Sequence, residues 1–356
     1  MAGSGRSSAV SLSRRQVLAG SAVAWAALSA RTTFAQEQKG EIVVGTWGGD
    51  WSDRTVRFVE RPIVEKAGYT VSHDFSATTD SRHTKLLAAR RLPVAPFDVV
   101  HVDDTDAFLM NSQGLIETVS DADIPNVADV HEILRAHYFI PWQYSAWVIG
   151  YNPDKVAEPP QSFADLWNPK YAGMIGLTDG HWYHHMEMAA LVQGGDLTDI
   201  AGMKSALLDL KKATNPRLYP GHLQQAQALK SDEVVIATNY KSRVVQFGTD
   251  GINLTSAFPT EGTVTVTFGA VIPKKAPNRQ GAFFYGDALI DRTGMAGIVQ
   301  ESFYTPANAK TSLPPEAAAL IEFTEDERSK LRTRDHAFWV ENRAALLDWW
   351  NKEFKA

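Results

Sequence analysis

The 356-residue sequence contains no cysteine. Thiolate nucleophiles, cysteine-based zinc sites, iron–sulfur clusters and disulfide bonds are therefore excluded, and the fold must be stabilised by its hydrophobic core. The sequence also lacks a Gly-x-Ser-x-Gly elbow, a His-Glu-x-x-His motif, a lysine-bearing phosphate loop and a Gly-x-Gly-x-x-Gly loop. These absences predict a protein that is not an enzyme and uses no cofactor, with an exported hydrolase as the enzymatic alternative.

Positive charge is concentrated at the amino terminus. The formal net charge is −6, and the first 35 residues carry four arginines (Arg6, Arg14, Arg15 and Arg31) and no acidic residue. Removal of that segment changes the net charge to −10, which argues against nucleic acid or an anionic membrane surface as a partner. The remaining chain has the length of one very large domain or two ordinary ones, and we expect two lobes.

Residues 1–35 have the pattern of a secretory signal peptide. A polar start leads to Arg14-Arg15, and Leu18 follows shortly, as in signals for the twin-arginine export route. The apolar stretch over residues 21–30 is about half of the roughly 20 residues that a membrane-spanning helix needs, which argues against a transmembrane anchor. We therefore predict cleavage near Ala35-Gln36 and a periplasmic protein.

The first part of the mature chain alternates short strands with helices. Apolar and β-branched runs predict strands at residues 41–45, 70–75 and 97–102, and helical periodicity predicts helices at residues 53–66 and 81–90. This rhythm is typical of a doubly wound sheet with parallel strands. The predicted fold class is therefore α/β.

The regular alternation of strands and helices is interrupted by an apolar strand over residues 145–152, which could cross from one lobe into the other. A second series follows, with strands at residues 173–178 and 234–238 and helices ending at residues 192 and 214. A strand at residues 264–272 could return the chain to the first lobe, where we expect the C-terminal helices to pack. Lobe one would then comprise residues 36–143 and 273–356, and lobe two residues 144–272.

Five short landmarks occur in the order and spacing of a known family. They are Thr46-Trp47-Gly48-Gly49, Phe97-Asp98-Val99-Val100, the segment from Ile140-Pro141-Trp142 to Asn152, the phrase at residues 162–173, and Leu177-Thr178-Asp179. Together they resemble the extracellular solute-binding proteins of ABC importers, in particular the spermidine/putrescine (polyamine) group. The resemblance spans residues 41–354.

The resemblance implies a type II periplasmic-binding-protein fold, in which two doubly wound lobes joined by two crossing strands close on a ligand in the cleft between them. It implies a monomer that captures a small molecule and delivers it to the permease subunits of an ABC importer. Aromatic side chains line the cleft in this group, and the matching residues here are Trp47, Tyr240 and Phe268.

The acidic residues that bind amines in the polyamine group have no counterpart in this chain. The matching positions hold Gly180, Tyr183 and Ala270. A buried ammonium group without a carboxylate is unfavourable by several kcal/mol. We therefore expect a neutral, zwitterionic or anionic solute, with a polyamine as the alternative.

Other candidate ligand-binding residues follow predicted strand ends or the crossing strands, where α/β sheets open toward ligands. They are Asp50, Asp103, Asp104, Thr105, Ser145, Asp179, Gly180, His181, Tyr183, Lys241 and Arg243. The helix after His181 would present free N–H groups to an anion, and Lys241 and Arg243 would add donors. The alternatives are helix capping by Asp104, Thr105 or Asp179, a solvated pair at Lys241 and Arg243, and a core position for Trp47.

Three histidines lie close together on the predicted helix that ends at residue 192. His181, His184 and His185 have a spacing that some zinc sites use. No cysteine accompanies them, and the tyrosine pairs of ferric-binding relatives are missing as well. We therefore predict that they bind no metal.

Overall fold

The structure is a computed structural model that describes residues 1, 3, 39–76 and 78–356. The twin-arginine motif at residues 13–18 and the cleavage site near Ala35 lie outside the described residues. Across residues 39–76 and 78–356, no helix is both long and apolar enough to cross a membrane.

The first three strands form a parallel sheet. β1 (Glu41–Thr46) pairs with β2 (Thr70–Phe75) on one side and with β3 (Val99–Asp103) on the other. Strands that run in parallel need a crossover, and helices supply both connections. The first is α1 (Asp50–Thr55), which continues as a π-helix (Val56–Val64) and a 3₁₀ turn, and the second is α2 (Thr79–Ala89). The predicted strand–helix rhythm of this region is confirmed.

Two long strands run through the middle of the sheet. β4 (Ile140–Tyr151) and β9 (Thr263–Val271) pair antiparallel over most of their length, and β9 also pairs antiparallel with β3. Gly269 lies where these strands come closest, because a Cβ atom there would be 2.5 Å from the carbonyl oxygen of Ile140. The sheet order is β2-β1-β3-β9-β4, followed by β7 (Ile236–Tyr240), β5 (Ile175–Thr178) and β6 (Arg217–Tyr219). The chain therefore passes twice between the two ends of the sheet.

The far end of the sheet repeats the parallel pattern. β5 (Ile175–Thr178) pairs in parallel with β6 (Arg217–Tyr219) and with β7 (Ile236–Tyr240), and β7 pairs antiparallel with the second half of β4. The helices are α4 (Trp182–Val192), α5 (Ile200–Thr214), α6 (His222–Lys230) and α7 (Lys241–Thr249), and α3 (Asp104–Ser112) follows β3. A capping box formed by Ser162 and Asp165 opens a short 3₁₀ helix (Phe163–Trp167).

The C-terminal part is mainly helical. Its helices are α8 (Arg279–Leu289), α9 (Arg292–Ser302), α10 (Pro315–Ile321), α11 (Glu325–Ser329) and α12 (His336–Trp349), and a π-helix (Trp350–Phe354) extends α12. The short strands β8 (Thr255–Ala257), β10 (Thr305–Pro306) and β11 (Leu331–Arg332) pair with β4 or β9.

Two large hydrophobic clusters lie at opposite ends of the sheet. One surrounds β1, β3 and helices α8 and α9, and the other surrounds β5, β7 and helices α4 and α5. We expected the last helix to pack with the first cluster, but Trp339, Trp349 and Trp350 belong to the second. The reason is that Trp339 of α12 packs edge to face against Trp182 of α4, and Trp350 of the extension stacks on His185 of the same helix. The lobe boundaries given above stay a prediction.

Candidate ligand-binding site

A cavity of about 600 Å³ opens at the carboxyl ends of β1, β3 and β7, which is where open α/β sheets bind ligands. Trp47 follows β1, Asp103 ends β3 and Tyr240 ends β7. The cavity is lined by Trp47, Gly48, Asp50, Trp51, Arg54, Thr78, Thr79, Asp80, Asp103, Asp106, His181, Tyr183, His222, Tyr240, Arg243, Val266, Phe268, Tyr304 and Arg343.

The cavity brings together eight of the fourteen residues that the sequence singled out. They are Trp47, Asp50, Asp103, His181, Tyr183, Tyr240, Arg243 and Phe268. These residues follow strands from both ends of the sheet, so the fold brings together side chains that are far apart in the sequence. Their contact with a ligand stays a prediction.

Three of the other six candidates are near the cavity but bind other groups. The carboxylate of Asp104 accepts a hydrogen bond from the backbone N–H of Thr267 and lies 3.7 Å from Arg334. Thr105 accepts a hydrogen bond from the same arginine. The hydroxyl of Ser145 is buried, and it accepts a hydrogen bond from the backbone N–H of Ser242.

The last three candidates lie away from the cavity. The carboxylate of Asp179 accepts hydrogen bonds from Trp350 and Lys355 and so anchors the C-terminal helix. Gly180 lies against the backbone of Pro220. The ammonium group of Lys241 donates to the backbone carbonyl of Glu322 and lies over the ring of Phe323, at 4.4 Å from its centroid.

Within the described part of the chain, eleven residues that line the cavity were not predicted from the sequence. Trp51 and Arg54 are one helical turn or less from Asp50 on α1, so the predicted helix could have suggested them. Asp106 is in the first turn of α3, which Asp103 caps, so the predicted position of Asp103 could likewise have suggested it. Tyr304 and Arg343 come from the C-terminal part, and no local pattern in the sequence connects them with the cavity.

Aromatic rings form one wall of the cavity. The ring centroid of Trp47 is 4.8 Å from that of Trp51 and 6.0 Å from that of Phe268, and both pairs pack edge to face. Phe268 in turn packs edge to face against Tyr304, at 5.5 Å. Edge-to-face packing holds each ring in a fixed orientation. The wall is therefore a rigid apolar surface for an apolar or aromatic part of a ligand.

A buried arginine lies over the ring of Trp47. The guanidinium carbon of Arg82 is 4.3 Å from the ring centroid, and this side chain is fully buried. It donates hydrogen bonds to the carbonyl and hydroxyl of Ser76 and to the hydroxyl of Thr79. Burial lowers the pKa of Arg82 to about 10, so it stays charged at neutral pH. One face of Trp47 is therefore already occupied by a cation.

Tyrosine and histidine side chains form a second wall. The hydroxyl of Tyr240 lies 3.2 Å from Nε2 of His184 and 3.4 Å from the hydroxyl of Tyr183. Burial lowers the pKa values of His181 and His184 well below the usual value, so both imidazoles are neutral at pH 7. This wall therefore offers neutral donors and acceptors. Among the described residues, no group of three or more His, Asp and Glu side chains has an arrangement that could hold a metal ion.

An ion pair lies beneath this second wall. Nε of Arg334 is 2.9 Å from Oε1 of Glu187, and a second guanidinium nitrogen is 3.2 Å from Oε2. Both side chains are almost completely buried, with 4% and 2% of their surfaces exposed. Glu187 is on α4, whereas Asp104 and Thr105, which Arg334 also contacts, are on α3. This arginine therefore connects helices from opposite ends of the sheet.

Carboxylates at the start of α3 form the acidic side of the cavity. A carboxylate oxygen of Asp103 accepts a hydrogen bond from the backbone N–H of Asp106 at 2.8 Å and caps the helix. Burial, together with the neighbouring carboxylates of Asp106 and Asp104, raises the pKa of Asp103 to about 8. Asp106 lies 3.9 Å from Arg343. A proton on Asp103 would make this carboxyl group a hydrogen-bond donor at pH 7.

A cleft with aromatic walls and charges of both signs, at the strand ends of an α/β sheet with two crossing strands, is typical of a solute-binding protein. Residues 61–325 match the family of bacterial extracellular solute-binding proteins. The chain therefore belongs to this family, as the sequence resemblance predicted.

Curated relatives bind small amines and amino acids. The spermidine/putrescine-binding periplasmic protein of Escherichia coli (strain K12) is 24% identical over 254 residues, which cover 68% of this chain and 73% of that protein. The gamma-aminobutyric acid-binding protein of Pseudomonas aeruginosa is 24% identical over 243 residues, or 63% and 65% of the two chains. These relatives agree with the family match, which identifies the chain as a bacterial extracellular solute-binding protein.

Solved structures show the same fold. The Atu4243 GABA receptor superposes with a TM-score of 0.77 at 21% identity, and the match covers 89% of this chain and 98% of the receptor. A substrate-binding protein of an ABC transporter from Bradyrhizobium japonicum superposes with a TM-score of 0.76, also at 21% identity, over 89% of this chain and 100% of the other. The predicted type II periplasmic-binding-protein fold is confirmed.

Proposed function

We propose that this protein is a non-catalytic periplasmic receptor of an ABC importer that captures a small organic solute, neutral, zwitterionic or anionic, in the 600 Å³ cavity. It would be exported by the twin-arginine route, act as a monomer and deliver its ligand to permease subunits in the inner membrane. The observation that carries the proposal is a cavity that joins a rigid aromatic wall with charges of both signs. Its volume is within the range of about 300–1,000 Å³ that small-molecule sites have.

Three arginines of the cavity could bind a negative group of the ligand. Arg54, Arg243 and Arg343 line the cavity from three different helices. The guanidinium of Arg82 also lies over Trp47, and a ligand ammonium on the open face of that ring would meet this positive charge across the ring. The aromatic wall therefore offers little of the cation–π attraction that an amine would need.

A polyamine is the second candidate, and one observation favours it. The carboxylates of Asp50, Asp80 and Asp106 line the same cavity together with the carboxyl group of Asp103, although none is at the positions where the polyamine group has its acids. They could bind one ammonium group. A ligand with an ammonium at one end and an anionic group at the other would use both sets of charges.

Native mass spectrometry of the protein purified from a bacterial periplasm tests the proposal. We expect a bound species of low mass that is released on unfolding and that remains chemically unchanged after prolonged incubation with the protein. A protein that carries no small molecule and is not stabilised by any compound of a solute library would contradict the receptor function. Conversion of the released compound would favour the hydrolase, and micromolar or tighter binding of spermidine in calorimetry would favour the polyamine alternative.

Replacing Trp47 with alanine should weaken binding of the retained solute by about 1–3 kcal/mol, the usual range for a buried aromatic contact. The side chain forms the aromatic wall together with Trp51 and Phe268. Calorimetric titration of the ligand-free protein measures the effect. Trp47→Phe keeps an aromatic ring and should lose less binding free energy than Trp47→Ala. Equal affinities of the wild-type protein and both variants would show that Trp47 is not part of the site.

A further inference from the structure

Two arginines approach the cavity from opposite ends of the sheet. Arg54 is in the last turn of α1, which follows β1, and Arg243 is in the first turn of α7, which follows β7. Both line the cavity. They are close enough for the positive charge of Arg243 to lower the pKa of Arg54, in addition to the larger effect of burial.

The hydrogen-bonding capacity of both side chains is incompletely used. The Nε atom of each is buried and has no hydrogen-bond partner within the described part of the chain. Arg54 lies 3.5 Å from Asp50 and 3.7 Å from Glu301, two carboxylates near the protein surface. Arg243 donates to the neutral side chain of Gln246, and in residues 39–76 and 78–356 no carboxylate lies within 4.0 Å of it.

Two cations that face one cavity without a shared anion repel each other. Unpaired buried donors are also unfavourable, and a fork of N–H groups matches the two oxygens of a carboxylate. His181 and His222 also lie near Arg243, since its positive charge lowers the pKa of both imidazoles in addition to the larger effect of burial. Burial lowers the pKa of His222 to about 4, so it adds no positive charge at pH 7 and can only donate or accept a hydrogen bond.

We propose that Arg54 and Arg243 together form the subsite for the carboxylate of the transported solute, with one arginine binding from each side. This inference rests on the proposed receptor function and adds the chemical class of the ligand. An organic acid or amino acid would bind with its carboxylate between the two guanidinium groups and with its carbon chain against Trp47 and Phe268. The ligand would thereby connect α1 with α7 and favour the closed arrangement of the cavity.

The test uses three probes with the same four-carbon chain: putrescine with two ammonium groups, γ-aminobutyrate with one ammonium and one carboxylate, and succinate with two carboxylates. Each is titrated into ligand-free protein at low ionic strength and followed by calorimetry. We expect γ-aminobutyrate or succinate to bind at least about 10-fold more tightly than putrescine. In Arg54→Gln and Arg243→Gln, the carboxylate-bearing probe should bind about 10- to 100-fold more weakly, as expected for the loss of charged hydrogen bonds.

Arg217→Gln is the control, because it removes the same charge from an exposed arginine that pairs with Glu233 at 2.6 Å and does not line the cavity. An equal loss in all three variants would mean that only the summed charge matters and would overturn the subsite. Equal or tighter binding of putrescine would overturn it as well, while leaving the receptor function in place. Failure of all three probes to bind the wild-type protein would also overturn the carboxylate subsite, because the receptor function is decided separately by the native mass spectrum. Melting curves of the variants verify that each is folded.

Discussion

Replacing Arg334 with methionine is expected to lower the free energy of unfolding by about 3–5 kcal/mol, the range found when one partner of a buried ion pair is removed. The substitution would leave the carboxylate of Glu187 buried, with only 2% of its side chain exposed and without its cation. It would also remove the hydrogen bond from Arg334 to Thr105. Equilibrium unfolding in urea measures the change.

Two further variants distinguish the effect of the unpaired charge on stability from the effect of altered side-chain packing. Arg332→Met alters an exposed arginine two residues away that donates to a backbone carbonyl, and it should change stability by less than about 1 kcal/mol. The double variant Arg334→Met, Glu187→Met replaces both ions by apolar side chains, and we expect it to recover most of the loss. Equal destabilisation by the single and double variants would show that packing, and not the unpaired charge, is responsible.

The second large effect concerns pH and Asp103. Because the folded protein raises the pKa of this carboxyl group to about 8 from a usual value near 4, folding favours its protonated form. Its contribution to stability is therefore fully present below about pH 4 and is lost as the pH rises through 8. Asp103→Asn removes the ionisation while keeping an oxygen that can cap α3.

We expect ligand-free Asp103→Asn to melt about 2 °C or more above the wild-type protein at pH 9, with the difference shrinking toward zero near pH 5. Thermal melting curves at several pH values measure this. Asp209→Asn, at an exposed position on α5, serves as the control and should show no such trend. A variant that is destabilised equally at all pH values would mean that the carboxyl group of Asp103 is ionised throughout this range.

Much of the fold could be predicted because its elements have strong local signals. The helix at residues 200–214 and the parallel strands β1 and β2 were placed within a residue or two, since β-branched runs and helical periodicity are local properties. The position of α12 could not be predicted in this way. Its tryptophans pack against α4, which is distant in the sequence, and only the assembled core determines which cluster receives them.

The site shows the same division between local and distant information. Trp47 and Tyr240 were selected by the family resemblance and Asp103 by its place at a predicted strand end, and all three follow or end a strand in the structure. Lys241 is adjacent to Tyr240 but points to Glu322, because a helix turns successive side chains in different directions. Arg82 was missed for another reason: it lies one layer behind Trp47, and its role depends on a contact that no spacing in the sequence reveals.

The position of β9 in the sheet has a consequence for synthesis on the ribosome. β9 lies between β3 and β4, although β4 ends at Tyr151 and β9 begins only at Thr263. At translation rates of about 5–20 residues per second, a nascent chain leaves these two apolar strands without their shared neighbour for on the order of 5–20 s. Unpaired strand edges promote aggregation. We therefore expect the nascent chain to be prone to aggregation until β9 has emerged, and fragments that end before Thr263 cannot complete the sheet.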